Sequence, residues 1–275
     1  MKFKTLFISF NIVLIVSSLM VFFMPLLILD GQFMLDFWKS NWYFGLVLVV
    51  LLIILNFVFI SNWKTLSLLE AEDWPALAAW LEKRVFSDHH FSNRTVRLLA
   101  DALLIMADFD TAERLENLLA EKRPDLLARS AARLAAIRLI GKRYDGFCEF
   151  TQKCAEMKHS DRDWLLFYAA FVRRIQNNRT EAAEGLGRLC TEARDPVVLA
   201  LSAYLLPSVL AARADGNLAV ADAALKRLTR SYTSGAFSRV LDSARGETHS
   251  AVFGTLLNEL PAWFDSAKKK ATAKA

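Results

Sequence analysis

LADALLIMADFDTAERLENLLAEKRP, residues 99–124, decides the fold. Apolar residues recur at helical spacing on both sides of Ala107-Asp108-Phe109-Asp110, and no strand-like alternation intervenes. The stretch reads as two short helices joined by a tight turn, with Pro124 closing the second. Working outward, similar turns stand at Glu72-Asp73-Trp74, Lys142-Arg143-Tyr144-Asp145 and Asn177-Asn178-Arg179-Thr180. Trp74, Phe109, Tyr144 and Arg179 are each 35 residues apart. A fifth turn, Asp215-Gly216-Asn217-Leu218, follows at a step of 39 from Arg179. A constant step near 34 is the period of a stacked helix–turn–helix unit.

Residues 99–124 resemble a tetratricopeptide unit. Ala100 matches the small residue of the first helix, Phe109 the turn aromatic, Ala112 the small residue opening the second helix, and Pro124 the closing proline. The other units are degenerate. Ala135 and Ala170 match the first small position, and Ala182 and Ala221 the second. Phe147 departs from it, as do Pro75 and Ala76 in the first unit, and Pro196 comes two residues late. The resemblance implies an all-α fold, a solenoid of about five units over residues 64–230. Small residues belong where paired helices approach most closely, and units stack because none can bury its apolar face alone. Residues 231–267 read as capping helices, around Ala236–Arg245 and Ser250–Phe264, with Trp263 and Phe264 as packing residues. Residues 268–275 read as a basic tail.

The front of the chain has a different character. Apolar residues make up 54% of the sequence, high for a soluble protein, and the excess lies in uncharged stretches at 5–29 and 43–60. A bilayer core needs about 20 apolar helical residues. Residues 1–63 therefore read as a two-helix transmembrane hairpin with a loop from Asp30 to Trp42. A cleaved signal is the alternative for the first stretch, but its apolar run exceeds the roughly 7–15 residues of a signal core. Lys2 and Lys4 precede the first span and Lys64 follows the second, a bias that places the N-terminus and the repeats in the cytoplasm, on an inner membrane. Trp38, Trp42, Tyr43 and Trp63 fall at the span ends. Asn11 and Asn56 either pair across the hairpin or bond within their own helices or another copy.

The net charge of +5 is distributed unevenly. Residues 61–267 carry 27 basic and 27 acidic side chains; Lys268, Lys269, Lys270 and Lys274 supply most of the excess, and residues 1–60, with three lysines and two aspartates, supply the rest. That excess does not call for a nucleic-acid partner. The tail either stays solvated or meets anionic lipid. Cys148, Cys154 and Cys190 form no disulfide or zinc pattern and read as core residues. His89, His90, His159 and His249 have no metal-ligand spacing, and Gly185-Leu186-Gly187 lacks the lysine and preceding strand of a phosphate loop. Asp161-Arg162-Asp163 reads as a helix cap. No cofactor and no enzyme activity are expected.

Tetratricopeptide arrays bind protein segments along the face built by the first helix of each unit. Carried over by position, this implies Arg94, Arg97 and Asp101 in the second unit and Arg129 in the third. In the fourth it implies Trp164, Phe167, Phe171 and Arg174. Arginine can clamp a carboxylate through paired hydrogen bonds. The spacing of Trp164, Phe167 and Phe171 is equally that of a core stripe. The expected function is a membrane-tethered scaffold for protein–protein interaction. The alternative is a non-catalytic subunit of a membrane enzyme or transporter, acting through the hairpin. The layout, though no motif, also resembles two-pass inner-membrane repeat proteins associated with haem biosynthesis.

Overall fold

The computed structural model describes residues 3–28, 31–158, 160–209, 215–245 and 249–273. Among the described residues all regular structure is helical. In chain order these are α1 (Phe3–Ile28), α2 (Gly31–Glu70), α3 (Trp74–Glu82, prolonged by a π-helical turn over Lys83–Ser87), α4 (Asn93–Met106), α5 (Phe109–Lys122), α6 (Pro124–Ile140) and α7 (Phe147–Ala155). They continue with α8 (Arg162–Ile175), α9 (Arg179–Glu192), α10 (Pro196–Val209), α11 (Asp215–Ser231), α12 (Ser234–Arg245) and α13 (Ser250–Ala273). The all-α expectation holds. The chain divides into two compact units, Met1–Trp80 and Leu81–Ala275.

In the first unit α1 packs against α2. Asn56 Nδ2 donates to Asn11 Oδ1 at 3.1 Å. The same two amides also donate back to their own helices, at Leu52 O and Phe7 O. Pairing across the hairpin and bonding within each helix are therefore realised together. Phe7 and Phe59 stack nearly parallel beside them. The outside is apolar: Ile12, Val13, Met20, Ile53 and Phe57 are among many exposed large hydrophobics. One described stretch, Val49–Glu70, is long and apolar enough to cross a membrane; Phe7–Met20 is apolar but shorter. The expectation of two spans thus rests on one qualifying stretch among the described residues, with residue 29 lying outside them.

The connector expected as a loop is instead helical from Gly31, broken only at Asn41, whose φ of −124° and ψ of 26° leave the helical region. Nothing between Gln32 and Ser40 disfavours a helix, since neither Gly nor Pro occurs there. The helix also does not stop at the expected boundary of 63. It runs to Glu70 and becomes the first arm of the first turn, where Lys64 Nζ sits 3.9 Å over the Trp80 ring.

The repeat is written in the backbone. Glu72, Ala107, Lys142 and Asn177 take positive φ, from 52° to 63°, and each is 35 residues from the next. At each, the next residue's N–H bonds to the carbonyl five positions back: Asp73 to Leu68, Asp108 to Leu103, Arg143 to Arg138 and Asn178 to Arg173. This is the double closure of a helix end through a left-handed residue, which satisfies carbonyls otherwise left without donors. Asp73 and Asp108 then start the next helix by accepting from Ala76 N and Thr111 N. A carboxylate there caps the helix and suits its positive end. Pro124 is the first residue of α6 and Pro196 of α10, where a missing N–H costs nothing.

In the second unit the first helices of successive pairs lie side by side, α4 on α6, α6 on α8 and α8 on α10. The small positions read from sequence are all buried: Ala100, Ala135 and Ala170, then Ala112, Ala182 and Ala221. α8 packs closely against α9, where a Cβ on Gly185 would stand 3.0 Å from the Ala170 methyl. Between units, the Phe109 ring lies over Gly141, and Arg138 makes paired bonds of 2.9 and 2.8 Å to Glu116. Phe147 departs from the small-residue pattern because α7 is late and short: Gly146, at φ 63°, opens it two residues beyond the Tyr144 position.

Two further expectations change. The turn expected at Asp215–Leu218 is the first turn of α11, and residues 210–214 before it lie outside the described residues. The basic tail is helical through Ala273, with Lys274 outside the described residues. α12 packs on α13, with Phe264 stacked on Phe237 and Trp263 edge-on to Tyr204.

The glycines of α9 give a paired test. Gly185→Leu should lower unfolding stability by about 1–3 kcal/mol by overpacking. Gly187 meets nothing within 4 Å, and Gly187→Ala should raise stability by about 0.5–1 kcal/mol. Denaturant titration followed by circular dichroism reads both.

Candidate interaction face

The first helices α4, α6 and α8 bring most of the sequence-derived site residues to neighbouring positions, but they divide them in two. Arg94, Arg97 and Arg129 are exposed, and Asp101 is partly so. Arg94 and Arg129 occupy equivalent places in successive units, 35 residues apart. Arg133, one turn beyond Arg129, donates from Nε to Asp101 Oδ1 at 3.0 Å. Asp161, ahead of α8, has its carboxyl pushed up by burial, opposed by the nearby charges of Arg133 and Arg97. α4 and α6 thus present three exposed arginines beside the Arg133–Asp101 pair.

The aromatic half is covered by the chain itself. Trp164 and Phe167 are buried and Phe171 half-buried, because α13 lies over α6 and α10 and sets Phe253 among them. The Phe253 ring meets Phe167 at 5.1 Å, Tyr168 at 5.2 Å and Phe171 at 5.0 Å, tilted or edge-on in each case. His249, just ahead of α13, stacks on Trp164 at 3.7 Å with an interplanar angle of 1°. Its Nδ1 is 3.2 Å from the Tyr168 hydroxyl. The indole N–H of Trp164 donates to Asp195 at 3.1 Å. Of the two readings open for Trp164, Phe167 and Phe171, the core stripe describes their position. Arg174 is exposed at the far end of α8, away from the α8 N-terminus where Asp161 joins the arginine face. Sequence reasoning missed His249, Tyr168 and Arg133. The 81 residues between Tyr168 and His249 leave no local signal of their meeting.

The titrations are those of a closed interior. Burial first, then Arg133, pushes the His249 imidazole down to about 4, so it is neutral. Burial raises the Tyr168 hydroxyl far above its ordinary value. Burial also lifts the Cys154 thiol to about 11 and that of Cys190 to about 12, which leaves them as thiols rather than reactive thiolates. An open depression of about 870 Å³ lies between the starts of α8 and α10. Two of its four carboxylates are occupied by backbone donors: Asp163 accepts from the N–H groups of Arg194 and Asp195, and Asp195 caps α10 through Val197 and Val198. Asp163 therefore holds the α9–α10 junction, whereas the cap expected for its own helix is not made, since Asp161 forms no side-chain bond there. Among the described residues no three His, Cys, Asp or Glu side chains converge as a metal site; His159 lies outside them.

Fold and face together define an all-helical protein built of stacked helix pairs with its C-terminal helix laid over the first helices. The chain belongs to the family described as uncharacterised Treponema protein, which matches residues 111–265. That match spans α5 to α13 and contains Arg129, Arg133, Trp164, Tyr168, His249 and Phe253, while Arg94, Arg97 and Asp101 precede it. An uncharacterised protein of Treponema pallidum (strain Nichols) is 33% identical over 176 residues, 63% of this chain. The chain covers 56% of that relative's length. No solved structure matches it.

Two outcomes follow. Phe253→Ala should cost about 3–5 kcal/mol of stability, the usual loss for a buried phenylalanine, and increase protease cleavage near α13. An unfolded histidine titrates near 6.5, above the folded value for His249, so below that pH the unfolded chain binds the extra proton. The stability associated with His249 is thus complete above about pH 6.5 and lost as pH falls toward 4. His249→Asn should flatten the fall in unfolding midpoint across that window.

Proposed function

We propose that this protein is a membrane-tethered scaffold that holds segments of other proteins on a tetratricopeptide-like helical array. The observation that carries the reading is the exposed row of Arg94, Arg97 and Arg129 beside the Arg133–Asp101 pair. The array offers guanidinium forks at fixed places on rigid helices, and such forks suit a carboxylate-bearing segment. The aromatic half of the same face is filled by α13, so a partner would be read by charge at the α4–α6 end.

The tether is α1 with α2, acting as a two-span hairpin with the array on the cytoplasmic side. Its support is an inside-out distribution of side chains: apolar residues outward and a hydrogen-bonded Asn11–Asn56 pair within. In lipid the apolar exterior is solvated, and the amides find partners in each other and in their own backbones. The lysines of α13 would add attraction to an anionic leaflet, about 1 kcal/mol for each one near it.

Charge reversal tests the reading. Arg94→Glu, Arg97→Glu and Arg129→Glu together should remove partners recovered by crosslinking from membranes, with helicity and membrane retention unchanged. If the triple variant keeps its partners while replacement of residues 1–63 by an unrelated two-span anchor loses them, the hairpin is the working part and the scaffold reading fails.

A further inference from the structure

α13 carries a proline in its interior, Pro261. A proline has no N–H to give the carbonyl four residues back, and its ring crowds that carbonyl. In α13 the carbonyl belongs to Leu257, and it finds its donor elsewhere. Arg245, the last residue of α12, donates from Nη2 to Leu257 O at 3.3 Å. The other arm of the guanidinium holds Asp242 Oδ1 at 2.6 Å, which steadies the fork on α12. A side chain 12 residues before Leu257 thus makes a bond that the backbone of α13 cannot.

The break divides the contacts of α13 into two sets. Well before Pro261, His249 and Phe253 meet Trp164, Phe167, Tyr168 and Phe171 of α8. Close to and beyond it, Tyr204 donates to Glu259 at 2.7 Å and meets the Trp263 ring, and Phe264 stacks on Phe237 at 4.4 Å. The second set anchors α13 on α10 and α12; the first covers the aromatic stripe. We infer that His249–Leu257 is a strap over that stripe, able to open separately from the rest of the array, with Arg245 as its clasp. Proteins open in cooperative units, each at the cost of its own bonds. In an unbroken helix successive turns share one hydrogen-bond ladder. Here the ladder is interrupted at Leu257, so the strap is joined to the anchored part of α13 by one backbone bond fewer. A guanidinium bond is stronger than the neutral one that it replaces, and Arg245 keeps the strap shut. Opening bares Trp164, Phe167 and Phe171 while Phe264 stays on Phe237.

Amide hydrogen exchange of the full chain in nanodiscs, read by mass spectrometry, tests the strap. Arg245→Met should speed exchange over residues 250–257 by about tenfold, the weight of one hydrogen bond to a charged group. Exchange over residues 93–122 should stay at the parent's rate, and Trp164 should become open to hydroxyl-radical labelling. Pro261→Ala gives Leu257 O a backbone donor again. Added to Arg245→Met, it should return exchange over residues 250–257 to near the parent's rate, which a general loss of packing would not allow. Pro261→Ala alone should slow exchange there, and it serves as the test if Arg245→Met misfolds. The inference is overturned if Arg245→Met leaves exchange over residues 250–257 unchanged, or speeds it equally over residues 93–122. It is equally overturned if Arg245→Met acts by the same factor with and without Pro261→Ala, or if Pro261→Ala alone slows nothing.

Discussion

A helix that must reverse within two residues needs one of them in the left-handed region. Here that role falls to Glu72, Ala107, Lys142 and Asn177, none of them glycine. An L-residue there costs about 1–2 kcal/mol, met by two hydrogen bonds that close the helix end and by the packing that the reversal makes possible. The invariant step of 35 resides in these turns and not in the helix lengths. Helix starts shift freely, since α6 follows α5 with one intervening residue and α8 follows α7 with six. One edge of the array is therefore fixed by backbone geometry while the other absorbs differences in length.

The second organising contact is α13 on the first helices. Phe253 and His249 fill the aromatic stripe of α8, so the element that caps the array also occupies part of the face on which such arrays hold ligands. The same stripe explains why His249 is neutral: a charged imidazolium between Trp164 and Tyr168, near Arg133, would lose water without gaining an acid. At the polar end of the face Arg94, Arg97 and Arg129 are exposed among the described residues.

Much of this architecture was legible in the sequence because the signals were local or periodic. The first four turns and the small residues Ala100, Ala135 and Ala170 lie where their spacing puts them, and Asn11 meets Asn56. What failed to show had a physical reason in each case. Residues 32–40 have ordinary helix-forming chemistry, so nothing in them marks a loop or a helix. Position 63 is no boundary because an apolar span and an amphipathic repeat helix share one backbone conformation, and composition changes where structure does not. The burial of Trp164, Phe167 and Phe171 was undecidable from their spacing, which a core stripe and a binding stripe share. Only the distant α13 distinguishes the two, and no periodicity connects it to α8.

The seating of α13 also sets a timetable. Repeat arrays made of neighbours alone can fold from the N-terminus as each pair is synthesised. This chain cannot finish that way, because the partner of Tyr168 arrives 81 residues later. At about 5–20 residues per second, the aromatic face of α8 waits on the order of 4–16 s for its cover. During that interval the nascent chain displays Trp164, Phe167, Tyr168 and Phe171 without Phe253, and it is then that the chain has most to gain from a chaperone.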